Sequence, residues 1–289
     1  MELDLSAFAG RGAVAGVSSR GERELAATGA TVETPFRIAS LTKTFTAAAV
    51  VRALWDKGFE LSVSVAEILP ELATALTVEQ VLAQSSGLRQ TVEAAEVAAL
   101  GDGDEVFLEA AKLVVAGGQE YPPGERWAYY NGNYFLAGAL LARLTGGSFE
   151  DGLQELLSAA ELSSTAFTAD YPRARRPSGG LWSTVPELLS FCEFLLQDKG
   201  LLAAISTPRV STPLSYGLGW AVGPAGMLYL NGRLDGYRAA MLLSPEREWA
   251  AAMLVSDTDA LPAIAQYLDD LQRPLTGVPM AGLIDDFAA

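Results

Sequence analysis

The chain contains no histidine, one cysteine and few cations: 20 Lys and Arg stand against 35 Asp and Glu in 289 residues, a formal net charge of −15. Without imidazole there is neither a His-dependent catalytic triad nor a His-ligated metal site, so a nucleophile must find another base. The lone Cys192 excludes an intramolecular disulfide and a multi-cysteine metal site. It stands in Leu188-Leu189-Ser190-Phe191-Cys192, where it reads as a packed helical thiol. The acidic balance argues against nucleic acid or an anionic membrane as a partner. No window approaches the ~18 consecutive apolar residues of a transmembrane helix. The start, Met1-Glu2-Leu3-Asp4, lacks the basic-then-apolar order of a secretion signal. A cytoplasmic chain is therefore expected. Nothing in the sequence specifies an oligomeric state.

What is present is apolar surface: half the residues are hydrophobic, enough for a large core. Alternating runs at 12–19 and 24–29, separated by Arg20-Gly21, predict a β-hairpin. Helical patterns cover Thr42 to Lys57, Val78 to Gln84, Glu105 to Ala116, Tyr134 to Leu144, Phe149 to Leu157 and Val185 to Gln197. Thr184-Val185-Pro186-Glu187 predicts a capping box that fixes the start of the last of these. Short strands are expected at Tyr216 to Val222, Met227 to Leu230, Tyr237 to Leu243 and Trp249 to Val255, then a helix over Leu261 to Leu271. Strands at both ends around a helical middle predict an α+β fold, one antiparallel sheet flanked by helices with an all-helical region inserted. The expected division is a sheet domain of residues 1–43 and 205–289 and a helical domain of residues 44–204, with the site between them.

Two segments carry the chemistry. Ser40-Leu41-Thr42-Lys43 places a hydroxyl and an ammonium on one helical face. A desolvated lysine has a lowered pKa and can serve a serine as base, although the same pattern also suits a helix N-cap beside a solvated lysine. In Tyr129-Tyr130-Asn131, a phenol and a carboxamide two residues apart can face one cleft, or can simply form a loop turn. Trp127, Tyr130, Trp182, Tyr216 and Trp220 lie near these motifs, as pocket walls or as core.

Together, Phe36-Arg37-Ile38-Ala39-Ser40-Leu41-Thr42-Lys43 and Tyr129-Tyr130-Asn131-Gly132-Asn133-Tyr134 resemble the first two motifs of the serine β-lactamase-related superfamily. That group includes class C β-lactamases, D,D-peptidases and family VIII carboxylesterases. Val81 to Leu88, Gly179 to Thr184 and Tyr216 to Trp220 are further similar stretches. The resemblance implies Ser40 as nucleophile, Lys43 and Tyr129 as proton carriers and Asn131 as a substrate-positioning group. It also implies Leu230, Asn231, Gly232 and Arg233 along the opposite wall. Here the sequence departs from the family pattern, because Leu230 stands where a basic residue is usual. That departure weakens a β-lactamase or D,D-peptidase reading more than an esterase reading. The expectation is a serine hydrolase that forms an acyl-enzyme with a small ester or D-amino-acid amide and needs no cofactor. The alternatives are a β-lactam or D-Ala-D-Ala enzyme and a non-catalytic binding module of the same fold.

Overall fold

The computed structural model describes residues 3–287. Nine strands are labelled in chain order: β1 Ala13–Ser19, β2 Glu22–Thr28, β3 Phe36–Arg37, β4 Ala166–Phe167, β5 Leu181–Ser183, β6 Ala221–Val222, β7 Leu228–Leu234, β8 Tyr237–Ser244 and β9 Trp249–Val255. The helices are α1 Thr42–Asp56, α2 Val65–Ile68, α3 Val78–Leu82, α4 Ala94–Ala98, α5 Val106–Ala116, α6 Asn131–Thr145, α7 Phe149–Ala159, α8 Arg176–Gly179, α9 Val185–Gln197, α10 Lys199–Ser206, α11 Leu261–Thr276 and α12 Ala281–Asp286.

The main sheet is antiparallel, in the order β2-β1-β9-β8-β7-β6, so that strands from both ends of the chain meet where β1 pairs with β9. This is the expected sheet. A small second sheet, β3-β5-β4, links the entry to α1 with the helical middle. The β1–β2 hairpin turns at Arg20 and Gly21, both at positive φ, as a tight two-residue turn requires.

Cross-strand partners share a face of the sheet. Gly16, Ala252, Met241 and Leu230 pair in sequence across β1, β9, β8 and β7, and Gly16 lies against Val185 and Leu189 of α9. Leu230 and Gly232 therefore face the α9 side. Asn231 and Arg233 face the other side, where they contact the α12 segment. Helix α1 is buried along nearly its whole length. Its small residues, Ala47, Ala48 and Ala49, let other helices approach from several sides, as an all-round apolar helix demands.

Two expectations are corrected. The Tyr216 to Val222 run forms a strand only at Ala221–Val222. Gly217 and Gly219 bring the chain hard against Ile205 and Lys43, where added Cβ atoms would lie 2.0 Å from the Ile205 carbonyl oxygen and 3.1 Å from that of Lys43. The segment is a packed crossing rather than a ladder. At α9, Thr184 accepts from Glu187 N at 3.3 Å, but the reciprocal half of the box is absent. The Glu187 carboxylate instead accepts from Ser164 N at 2.6 Å and Thr165 Oγ1 at 2.5 Å.

Candidate active site

Ser40 sits in the 3-10 turn Ala39–Leu41 that leads into α1. The residue before it, Ala39, has φ +47°, a left-handed conformation that costs a side-chain-bearing residue roughly 1–2 kcal/mol. The cost is tolerated because the turn is held on both sides. Ile38 N donates to Leu181 O of β5 at 3.0 Å, and Leu41 N donates to Ile38 O at 3.1 Å.

One turn on, Lys43 is fully buried. Its Nζ lies 3.2 Å from Ser40 Oγ, 2.7 Å from Tyr129 Oη and 2.6 Å from the Ser178 carbonyl oxygen of α8. Neighbouring polar residues of α1 fasten the same face to the adjacent chain: Thr46 Oγ1 donates to Pro177 O, and Thr42 Oγ1 accepts from Leu181 N. Burial holds the Lys43 pKa well below the usual 10.5, and the Arg175 charge lowers it further. Since a carbonyl can only accept, one Lys43 N–H is committed to Ser178. A neutral amine then has one N–H and one lone pair left for Ser40 and Tyr129.

Tyr129 closes the triangle, its Oη 2.6 Å from Ser40 Oγ. Burial pushes its pKa up to about 12, with the Ser40 hydrogen bond and the Arg233 charge acting in opposition. The loop carrying it is pinned by Gln84, a buried residue at φ +56°. The Gln84 carbonyl accepts from Ala128 N at 2.9 Å. Its side-chain oxygen accepts from Tyr130 N at 3.1 Å and Asn133 Nδ2 at 2.7 Å. Gln90 adds a bond to the Tyr129 carbonyl at 2.8 Å. Asn131 opens α6, with Oδ1 3.4 Å from Tyr129 Oη.

Strand β7 forms the facing wall. An added Cβ on Gly232 would come within 2.3 Å of Ile38 O, so glycine is what permits this strand to lie against the nucleophile turn. Leu230 is fully buried on the Gly232 face. In antiparallel sheets the backbone groups of alternate residues point to opposite edges. Gly223 N bonds Met227 O at 2.7 Å, and Ala221 pairs with Tyr229, so odd-numbered residues of β7 direct their backbone toward β6. That short strand ends at Ala221, which leaves the backbone N–H of Asn231 and Arg233 aimed at the open edge.

The side chains of Asn231 and Arg233 are occupied. Asn231 Nδ2 donates to the carbonyls of Ile284 at 2.6 Å and Phe287 at 3.1 Å. Arg233 Nη2 donates to those of Asp285 and Phe287, the latter at 3.2 Å. Phe287 is 3% exposed and packs among Trp127, Tyr129, Tyr216 and Tyr229. Of the other aromatics marked in the sequence, Trp182 packs on Tyr237 and Arg37, while Trp220 and Tyr130 are buried. Sequence reasoning missed Ser178, Gln84 and Phe287. The first acts through its carbonyl, which no side-chain pattern reveals; the second lay inside a flagged segment without a role; the third lies in a stretch with no motif.

Comparison with known proteins bears on the family and the fold. A family model described as Beta-lactamase matches residues 5–272. Protein flp of Staphylococcus aureus (strain MW2) is 21% identical over an alignment that covers 82% of this chain and 56% of that protein. The chain thus spans about half the length of that relative. The octameric penicillin-binding protein homologue from Pyrococcus abyssi superposes with a TM-score of 0.80 at 20% identity, covering 93% of this chain and 74% of the other. A D-stereospecific amidohydrolase from Streptomyces sp. gives 0.73 at 21% identity, covering 96% and 97%.

Proposed function

The chain belongs to the Beta-lactamase family, and from that membership we propose that it is a serine hydrolase working through an acyl-enzyme on small carboxylic esters or D-amino-acid amides. The observation that carries the reading is the triangle of Ser40, Lys43 and Tyr129, with edges of 2.6, 2.7 and 3.2 Å.

In the proposed reaction, Ser40 Oγ attacks the substrate carbonyl carbon while its proton passes to neutral Lys43, directly or through the Tyr129 hydroxyl. The carbonyl oxygen becomes an oxyanion that accepts from the backbone N–H groups of Ser40 and Arg233. The open-edge direction of the Arg233 N–H supports this placement. When the tetrahedral adduct collapses, the alkoxide or amine leaves with a proton returned from the Lys43–Tyr129 pair. Water then repeats the sequence on the acyl-Ser40 ester and releases the acid. Asn131 orients the substrate from one side, and Asn231, Gly232 and Arg233 bound it from the other. The reaction as written draws on protein groups and water alone.

Leu230 supports esters and amides over β-lactams. It places a hydrocarbon where a cation would steady the carboxylate of a β-lactam or a peptide C-terminus. The test is turnover of p-nitrophenyl butyrate beside nitrocefin, with Ser40→Ala as control. Ester turnover should exceed nitrocefin turnover and fall at least about 10³-fold in Ser40→Ala. Undiminished ester turnover in that variant, or nitrocefin as the better substrate, contradicts the reading.

A further inference from the structure

Phe287 lies one side chain from the nucleophile. Its ring stacks on Tyr216, with centroids 6.2 Å apart and 9° between planes. It meets Trp127 at 5.8 Å and Tyr229 at 6.1 Å. It also stands edge-on to Tyr129 at 6.0 Å, and the Tyr129 hydroxyl is 2.6 Å from Ser40 Oγ. The Phe287 carbonyl accepts from Asn231 and Arg233 at 3.1 and 3.2 Å.

Part of this has a local explanation. The last carbonyls of a helix lack intrahelical partners, so Asn231 and Arg233 serve α12 as a cap at Ile284 and Asp285. Capping does not account for the Phe287 ring. That residue is the C-cap of α12, so its carbonyl, held by the same two donors, belongs to the cap, but its ring is inserted among four aromatics. A cap also needs no fixed charge, whereas a guanidinium beside a carboxamide suits a carboxylate or a polarised carbonyl.

We propose that Phe287 holds the place of a substrate. The cage of Trp127, Tyr216 and Tyr229 is a subsite for an aromatic ring. Asn231 and Arg233 are donors for a carbonyl or carboxylate spaced from that ring as in a phenylalanyl group. The ligand class is an arylalkanoyl compound, and the α12 segment must leave for it to enter. The inference deepens the serine-hydrolase reading and rests on it for the reaction, but not for the binding. An occupant that must be displaced weakens apparent affinity by the fraction of chains in which the subsite is free.

The probe is 3-phenylpropanoate, which reproduces the ring, spacing and carboxylate of Phe287; propanoate, lacking the ring, is the control. Calorimetry should find 3-phenylpropanoate binding to Phe287→Ala at least about tenfold more tightly than to the wild-type chain, with propanoate far weaker on both. In the unaltered protein, adding 3-phenylpropanoate should speed amide hydrogen exchange of residues 281–287 while the core helix α1 is unchanged. Exchange in the native chain requires no variant to fold. Equal affinity for variant and wild type, binding indifferent to the ring, or unchanged exchange at 281–287 would each overturn the proposal. Binding needs no acyl transfer, so a catalytically silent Ser40 would fail the Ser40→Ala comparison and leave these results readable.

Discussion

Lys43 decides which protonation state the site works in. The neutral pair of amine and phenol holds the same number of protons as an ammonium beside a phenolate, so the two are tautomers of one state. Burial lowers the Lys43 pKa and raises that of Tyr129 to about 12, and both shifts favour the neutral pair. In the unfolded chain lysine holds its proton up to about pH 10.5. Between the depressed folded pKa and that value the unfolded state binds more protons, so stability rises with pH across the window. Lys43→Met should lack this rising slope in denaturant titrations at successive pH values. The wild-type kcat/KM for an ester should climb over the acid side of the same window as the amine loses its proton. In Lys43→Met activity should drop about 10²–10⁴-fold at every pH. A parallel pH slope in both proteins would contradict a neutral Lys43.

At the scale of elements, the site is the closure of β7 onto the Ser40 turn. Gly232→Ala places a methyl group 2.3 Å from Ile38 O. The obstacle is backbone, so it cannot be relieved by a rotamer change. The variant should lose about 1–3 kcal/mol of stability and about 10²-fold in turnover, because displaced reacting groups lose their alignment. Thermal denaturation and ester kinetics check both; wild-type turnover would show that this closure does not set the geometry. The elements themselves were unevenly legible. Helix α9 runs over Val185–Gln197 as its pattern predicts, since Thr184 caps it locally and its apolar face is periodic. Strand β7 continues beyond the expected Leu230 to Leu234. Asn231, Gly232 and Arg233 carry no strand propensity; what extends them is pairing with β8.

Across the whole molecule, sequence signals were strong where neighbours in the chain do the work and weak where distant segments meet. Ser40 and Lys43 are one helical turn apart, so their face could be read directly. Tyr129 arrives from 89 residues away, carried by a loop that Gln84 pins. Phe287 comes from the far end of the described chain, just after a six-residue helix too short to show a period. Among the described residues no helix is long and apolar enough to cross a membrane. The account stands on Ser40 becoming covalently acylated. The most direct measurement is the intact mass, with peptide mapping, of the chain quenched in acid soon after mixing with p-nitrophenyl butyrate. The account predicts one butyryl group per chain, on Ser40, that disappears with time as water releases it. A butyryl group on another residue, or ester turnover with Ser40 never modified, would contradict it.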